Sequence, residues 1–362
     1  MSRWLPITKA LNTLGVPYPY LNRIAVGSTS ILTEVKFEVT DRCNLECSFC
    51  HQDFGAKGGT TDLDWDTFER TLAAAKNDRV PVIRLTGGEP MVLKHIDTYL
   101  RRAKELGFSV IVNTNGTALP EKRVIALKGL IDCIKISLPA ADEETMTRLT
   151  SNKNTWRRKW EALALLEKHG FCIDILTVMT KENIRDFEKF VALLEPHPAF
   201  HWKLLRAETQ EGDHAPISRE DIRLLARKLA EVRKQERWKC LTLGLATPFC
   251  ALENPADAVD LFSGGRSCGP VESLTVTSQG DAVRCYSRRD ALDPSQGLRK
   301  ASLDLSLRDF EELPAVCQNC PFVPLCRGGC RCDWSLADTR YGRMDYLADA
   351  SNVAGAEKFA TN

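Results

Sequence analysis

Cys43, Cys47 and Cys50 stand close together in the stretch "TDRCNLECSFCHQD". A closed structural zinc site takes four protein ligands, commonly as paired cysteines two residues apart. Three thiolates are an incomplete set for that purpose, but they can hold a four-iron cluster and leave one iron without a protein ligand. An open coordination position is where a metal centre does chemistry. Far along the chain lie eight more cysteines: Cys250, Cys268, Cys285, Cys317, Cys320, Cys326, Cys330 and Cys332. Eight thiolates are enough for two complete four-thiolate cages, and zinc would accept the same donors. Cys133, Cys172 and Cys240 stand alone. Isolated cysteines are usually small buried hydrophobes, or else thiols able to return a hydrogen atom to a substrate radical.

The rest of the composition narrows the field. With 49 basic and 48 acidic side chains in 362 residues the net charge is +1, which offers no footprint for nucleic acid and no acidic tail. The opening "MSRWLPITKALNTLGVPYPY" has prolines and polar residues where a secretory signal needs an apolar run, and no later stretch approaches a membrane span. The expected compartment is the cytosol, where cysteines are read first for metal or catalytic roles.

Elements must carry these groups to one place. "EVKFEVT" alternates Val35, Phe37 and Val39 with polar residues, the period of a strand, and "VPVIRLT", "FSVIVNT", "CIKISL", "CIDILTVM" and "FHWKLLR" follow as five more. Segments of helical spacing lie between them, such as Trp65, Phe68, Leu72 and Ala75, or Ile184, Phe187, Val191 and Leu194. Alternation of this kind predicts an α/β fold, a parallel sheet closed or partly closed into a (β/α)6 barrel. Loops leaving the C-terminal strand ends carry the working groups of such folds. The three cysteines follow the first strand, "GGEP" the second, "NTNG" the third, Ser137 ends the fourth and "TKEN" follows the fifth. All fall on one rim. The run "RRKW" at 157–160 reads as a solvated helix face, and the cysteine-rich second part is expected to begin near 241.

"CNLECSFC" after one strand with "TGGEP" after the next resembles the radical S-adenosylmethionine superfamily. The resemblance implies a barrel over 33–240 after an N-terminal extension 1–32, with Cys43, Cys47 and Cys50 as ligands of a [4Fe-4S] cluster. There the open iron is chelated by S-adenosylmethionine, whose reductive cleavage yields a 5'-deoxyadenosyl radical that abstracts hydrogen from an unactivated C–H bond. Gly87 and Gly88 are expected to let backbone approach that ligand, and Glu89 to accept a bond from its methionine ammonium. The resemblance adds Phe49 beside the adenine, Asn115 near the nucleoside, Ser137 on the ribose or carboxylate, and Arg148 on the carboxylate.

The late cysteines resemble the SPASM domain, a smaller cysteine-rich iron–sulfur domain placed at 241–340 ahead of a tail 341–362. Cys268, Gly280 and Cys285 match its first pattern, and Cys317, Cys320, Cys326 and Cys330 its second. The family's ligand pattern implies two auxiliary iron–sulfur clusters, Cys250, Cys268, Cys285 and Cys330 on one and Cys317, Cys320 and Cys326 with Cys332 on the other.

Strand parity points Glu38, Arg84, Asn113, Lys135, Asp174 and Lys203 into the barrel lumen. Charges buried there either pair with one another or face a wet cavity for polar ligands. Taking the second alternative, Arg84, Lys135 and Asp174 are the candidate catalytic residues. Related enzymes with such a second domain imply a ribosomally made peptide or protein as substrate, undergoing oxidation, crosslinking or epimerisation. An external one-electron reductant such as flavodoxin or ferredoxin is implied as partner, with neither nucleic acid nor membrane. The alternatives are the same chemistry on a sugar, aminocyclitol or nucleoside, and a non-catalytic iron–sulfur or zinc protein serving electron transfer or binding.

Overall fold

The computed structural model describes residues 32–50, 59–198, 200–207, 217–238, 241–244, 247–262, 273–286, 289–311, 313–318, 320–330, 347–349 and 351–352. Cys240, Cys268 and Cys332 therefore lie outside the described residues. The strands are β1 (Glu34–Thr40), β2 (Val82–Gly87), β3 (Ser109–Thr114), β4 (Cys133–Ser137), β5 (Ile173–Met179), β6 (Phe200–Arg206), β7 (Thr242–Gly244), β8 (Ser273–Val276) and β9 (Ala282–Val283). They form one sheet in the order β7-β6-β5-β4-β3-β2-β1-β8-β9. From β1 to β7 every pairing is parallel, β8 joins β1 in parallel, and β9 turns back against β8. The six expected strands are all present. The cysteine-rich part extends the same sheet rather than leaving it.

Helices cover one face. The α1 helix (Trp65–Asn77) starts where the Asp64 carboxylate accepts from the backbone N–H of Asp66 and Thr67, and it buries Phe68, Leu72 and Ala75. Next come α2 (Ile96–Glu105), α3 (Glu121–Leu127), α4 (Glu143–Thr150), α5 (Thr155–Lys168), α6 (Phe187–Leu194) and α7 (Arg219–Val232), the last begun by a Ser218–Asp221 capping box. Val35, Phe37, Val39, Ile83, Leu85, Val110, Val112, Ile134 and Ile136 are fully buried beneath these helices. Beyond them α8 (Ala258–Leu261), α9 (Leu298–Glu311), α10 (Ala315–Gln318) and α11 (Val323–Cys326) carry the second part. Among the described residues no helix is long and apolar enough to cross a membrane.

The other face, the inside of the partial barrel, is charged. Arg84 pairs with Glu34 at 2.7 Å, Lys135 with Asp174 at 3.1 Å, and Glu38, only 1% exposed, with Arg289 at 2.9 Å. Lys135 and Asp174 are register partners on β4 and β5, so parallel pairing alone sets them side by side. Of the two arrangements open to these charges, these three pairs show the first, and a partner of opposite charge offsets the desolvation of each. Residues from the second part close over this face, with the Lys36 ammonium 4.8 Å from the ring centre of Tyr286.

Candidate metal centre

The loop after β1 is held by its neighbours' backbones. Gly88 N–H donates to Thr40 O at 2.8 Å, Glu89 N–H to Arg42 O at 2.8 Å, and Ser48 N–H to Leu149 O at the end of α4 at 2.9 Å. Asn44 completes the lock, donating to Thr117 Oγ1 and accepting from Asn115 Nδ2, each at 2.8 Å. Three loops therefore move as one body around Cys43, Cys47 and Cys50. All three thiols are half-buried.

The glycine pair serves this packing. Gly87 has φ +126°, and a Cβ there would stand 2.2 Å from Thr40 O; one on Gly88 would stand 2.1 Å from Arg42 O. The close approach seen here is to the backbone of Thr40 and Arg42, at the end of β1 and in the cysteine loop. The Glu89 carboxylate is fully buried and accepts from Thr114 Oγ1 at 2.5 Å, Asn115 N–H at 2.6 Å and Met91 N–H at 3.0 Å. With no exposed surface it braces the β2 and β3 loops, and burial raises its proton affinity despite these donors.

A residue the sequence reading placed in solvent lies underneath. Lys159, in "RRKW", is 1% exposed, and its ammonium donates to Ser137 O at 2.7 Å and to Asn115 O. Burial pushes it down to about 8, opposed by Cys47, Glu89 and Cys43 in that order. Burial likewise pushes the Cys47 thiol up to about 12 against the pull of Lys159. Cys43 is raised by burial, while the backbone N–H groups of Leu45 and Asn44 bond its sulfur and favour the thiolate. The signal that finds Lys159 is negative: a charged residue on the apolar side of α5, between Thr155, Ala162 and Leu163.

Donor spacing bears on which metal fits. Among the described residues, only Cys133, Cys172 and Asp174 bring three metal-type donor atoms within 4.8 Å of one another. A tetrahedral zinc, with Zn–S bonds of about 2.3 Å, holds its thiolates roughly 4 Å apart. The trio of Cys133, Cys172 and Asp174 sits at the opposite pole, at the start of β4 and β5, where Cys133 is half-buried and Cys172 exposed rather than buried as isolated cysteines were expected to be.

Phe49 is half-buried against the core, and Asn115 is held through its own N–H and side chain. Ser137 gives its carbonyl to Lys159. Arg148 forms an exposed ion pair with Glu182 at 2.9 Å, in the loop after β5.

In the second part Cys250, Cys317, Cys326 and Cys330 are buried, while Cys285 and Cys320 are half-buried. Between Cys326 and Cys330 the chain reverses through Arg327, Gly328 and Gly329, at φ +52°, +79° and +83°, which is why two glycines stand there. Burial pushes the Cys250 thiol well above its ordinary value, and the nearby thiols of Cys326, Cys317 and Cys320 push the same way.

Residues 37–194, which carry the parallel partial barrel and the three-thiol loop locked to the glycine–glutamate turn, match the radical SAM superfamily. Over those residues the chain resembles that superfamily. It is 26% identical over 311 residues to the PqqA peptide cyclase of Ruegeria pomeroyi, covering 82% of this chain and 81% of the relative. In fold it resembles Streptococcus suis SuiB bound to S-adenosylmethionine (TM-score 0.69, 19% identity, 93% of this chain and 82% of that one). It also resembles anSMEcpe with bound AdoMet and Cp18Cys peptide (TM-score 0.66, 14% identity, 91% and 96%).

Proposed function

We propose that this chain is a radical enzyme that modifies a ribosomally made peptide, by oxidation, crosslinking or epimerisation, in the cytosol. The observation that carries the reading is the three-thiol loop bonded through Thr40 and Arg42 to the turn at Gly88 and Glu89. Similarity to a peptide cyclase along four fifths of both chains supports a peptide over a sugar, aminocyclitol or nucleoside.

When bound, S-adenosylmethionine on the open iron of a [4Fe-4S] cluster supplies hydrogen abstraction from an unactivated C–H bond. Cys43, Cys47 and Cys50 hold that cluster. Backbone at Gly87 and Gly88, with Phe49, Asn115, Ser137 and Arg148, forms the rim that orients the cofactor; Glu89 and Lys159 keep it in place from below. On the inner face Arg84, Lys135 and Asp174 handle the polar groups of the substrate, exchanging the Arg84–Glu34 and Lys135–Asp174 pairs for contacts to it. Residues 33–240 are the barrel and 241–340 the auxiliary-cluster part. Electrons come from an external one-electron donor such as flavodoxin or ferredoxin.

The test is anaerobic reconstitution, reduction and incubation with S-adenosylmethionine. 5'-Deoxyadenosine is the expected product, and a short peptide encoded beside the gene is expected to change mass. Failure to form 5'-deoxyadenosine overturns the radical reading; turnover of a sugar or nucleoside but no peptide overturns the substrate class.

A further inference from the structure

The late cysteines are grouped by the fold in a way their order along the chain does not suggest. Cys250 sits in the single turn Phe249–Ala251, after β7, far ahead of Cys317, Cys320 and Cys326 along the chain. Yet the backbone N–H of Phe249 donates to the sulfur of Cys326 at 3.4 Å. Bonds from backbone N–H to sulfur are the usual support of cluster thiolates. On its other side the sulfur of Cys250 accepts from Asp349 N–H at 3.4 Å.

The segment Leu347–Asp349 is brought there on purpose-built anchors. Arg219 of α7 donates to Leu347 O at 3.0 Å, and Arg223 pairs with Asp349 at 3.0 Å. Ala348 packs beside Leu313, Cys317 and Val323. This segment closes the far side of the Cys317–Cys326 hairpin, but the side chain it brings is a methyl group. The thiol at that spot comes from Cys250.

We propose that Cys250 completes a four-thiolate cage with Cys317, Cys320 and Cys326, which holds one auxiliary four-iron cluster. This rests on the iron–sulfur reading of the second part given above. The late cysteines that remain along the chain are Cys268, Cys285, Cys330 and Cys332. A cage of four protein thiolates leaves no open iron on this cluster, which suits it to relaying electrons rather than binding substrate.

The experiment uses the reconstituted full chain. Iron is withdrawn in steps with a chelator, newly freed thiols are alkylated, and each cysteine is followed by mass spectrometry. Cys250 is expected to become labelled along one time course with Cys317, Cys320 and Cys326. Labelling of Cys250 with Cys285 and Cys330 instead overturns the proposal. If every late thiol is alkylated before any iron is withdrawn, the auxiliary clusters themselves are absent, and the reading beneath the proposal fails with it. A second measurement works on variants: the double variant C317A/C320A is expected to lose about four irons. Adding C250A to it should leave the remaining iron and its electron paramagnetic resonance spectrum unchanged. A changed spectrum places Cys250 on the other cluster and overturns the assignment.

Discussion

Two sets of thiols divide the molecule, and they are built differently. Cys43, Cys47 and Cys50 ride on one half-buried loop whose shape is borrowed from the loops of β2 and β3 and the end of α4. Cys317 and Cys326 lie on short helical turns with Cys320 between them, and the segment of the distant Cys250 reaches them through the bond from Phe249 N–H to the Cys326 sulfur; Cys250, Cys317 and Cys326 are buried. A site that must exchange a ligand needs a face left open and a rigid surround. A site that only passes electrons gains from being closed and dry.

Predictions can be aimed at that difference. Cys43→Ala should abolish 5'-deoxyadenosine formation and remove about four irons; an iron assay that still finds the late clusters filled confirms that the two regions load independently. Asp174→Ala should abolish peptide product while cleavage of S-adenosylmethionine continues without it, and unchanged product would remove the inner face from substrate handling. Gly88→Ala sets a Cβ against Arg42 O, at 2.1 Å before relaxation. It should cost about 3–5 kcal/mol in denaturant unfolding. Lys159→Met leaves two carbonyls and Glu89 without their cation, which costs about 2–4 kcal/mol by the same measurement. Least affected should be Arg148→Ala: its exposed pair with Glu182 changes stability by under about 0.5 kcal/mol, while half-saturation by S-adenosylmethionine rises.

Much of this was legible beforehand. The alternation of Val35, Phe37 and Val39 and its repetition in five further runs reported the sheet, because a side chain's face follows directly from its parity. The rim followed too, since loops at C-terminal strand ends are a property of parallel winding. Lys159 was misread because "RRKW" looks like any solvated helix face: only the position of α5 over the β3 and β4 loops turns its third residue inward. The three donors to Glu89, Thr114 Oγ1, Asn115 N and Met91 N, are likewise invisible in the sequence until the two loops meet.

What the residue order by itself determined was the inventory and the direction: which groups exist, on which strands, and at which strand end. Tertiary structure decided who neutralises whom. Arg84 with Glu34, Lys135 with Asp174 and Cys250 with the Cys317–Cys326 turn are separated by tens of residues along the chain. Contacts of that range depend on distances through space, and a linear pattern encodes only those that period and register can generate.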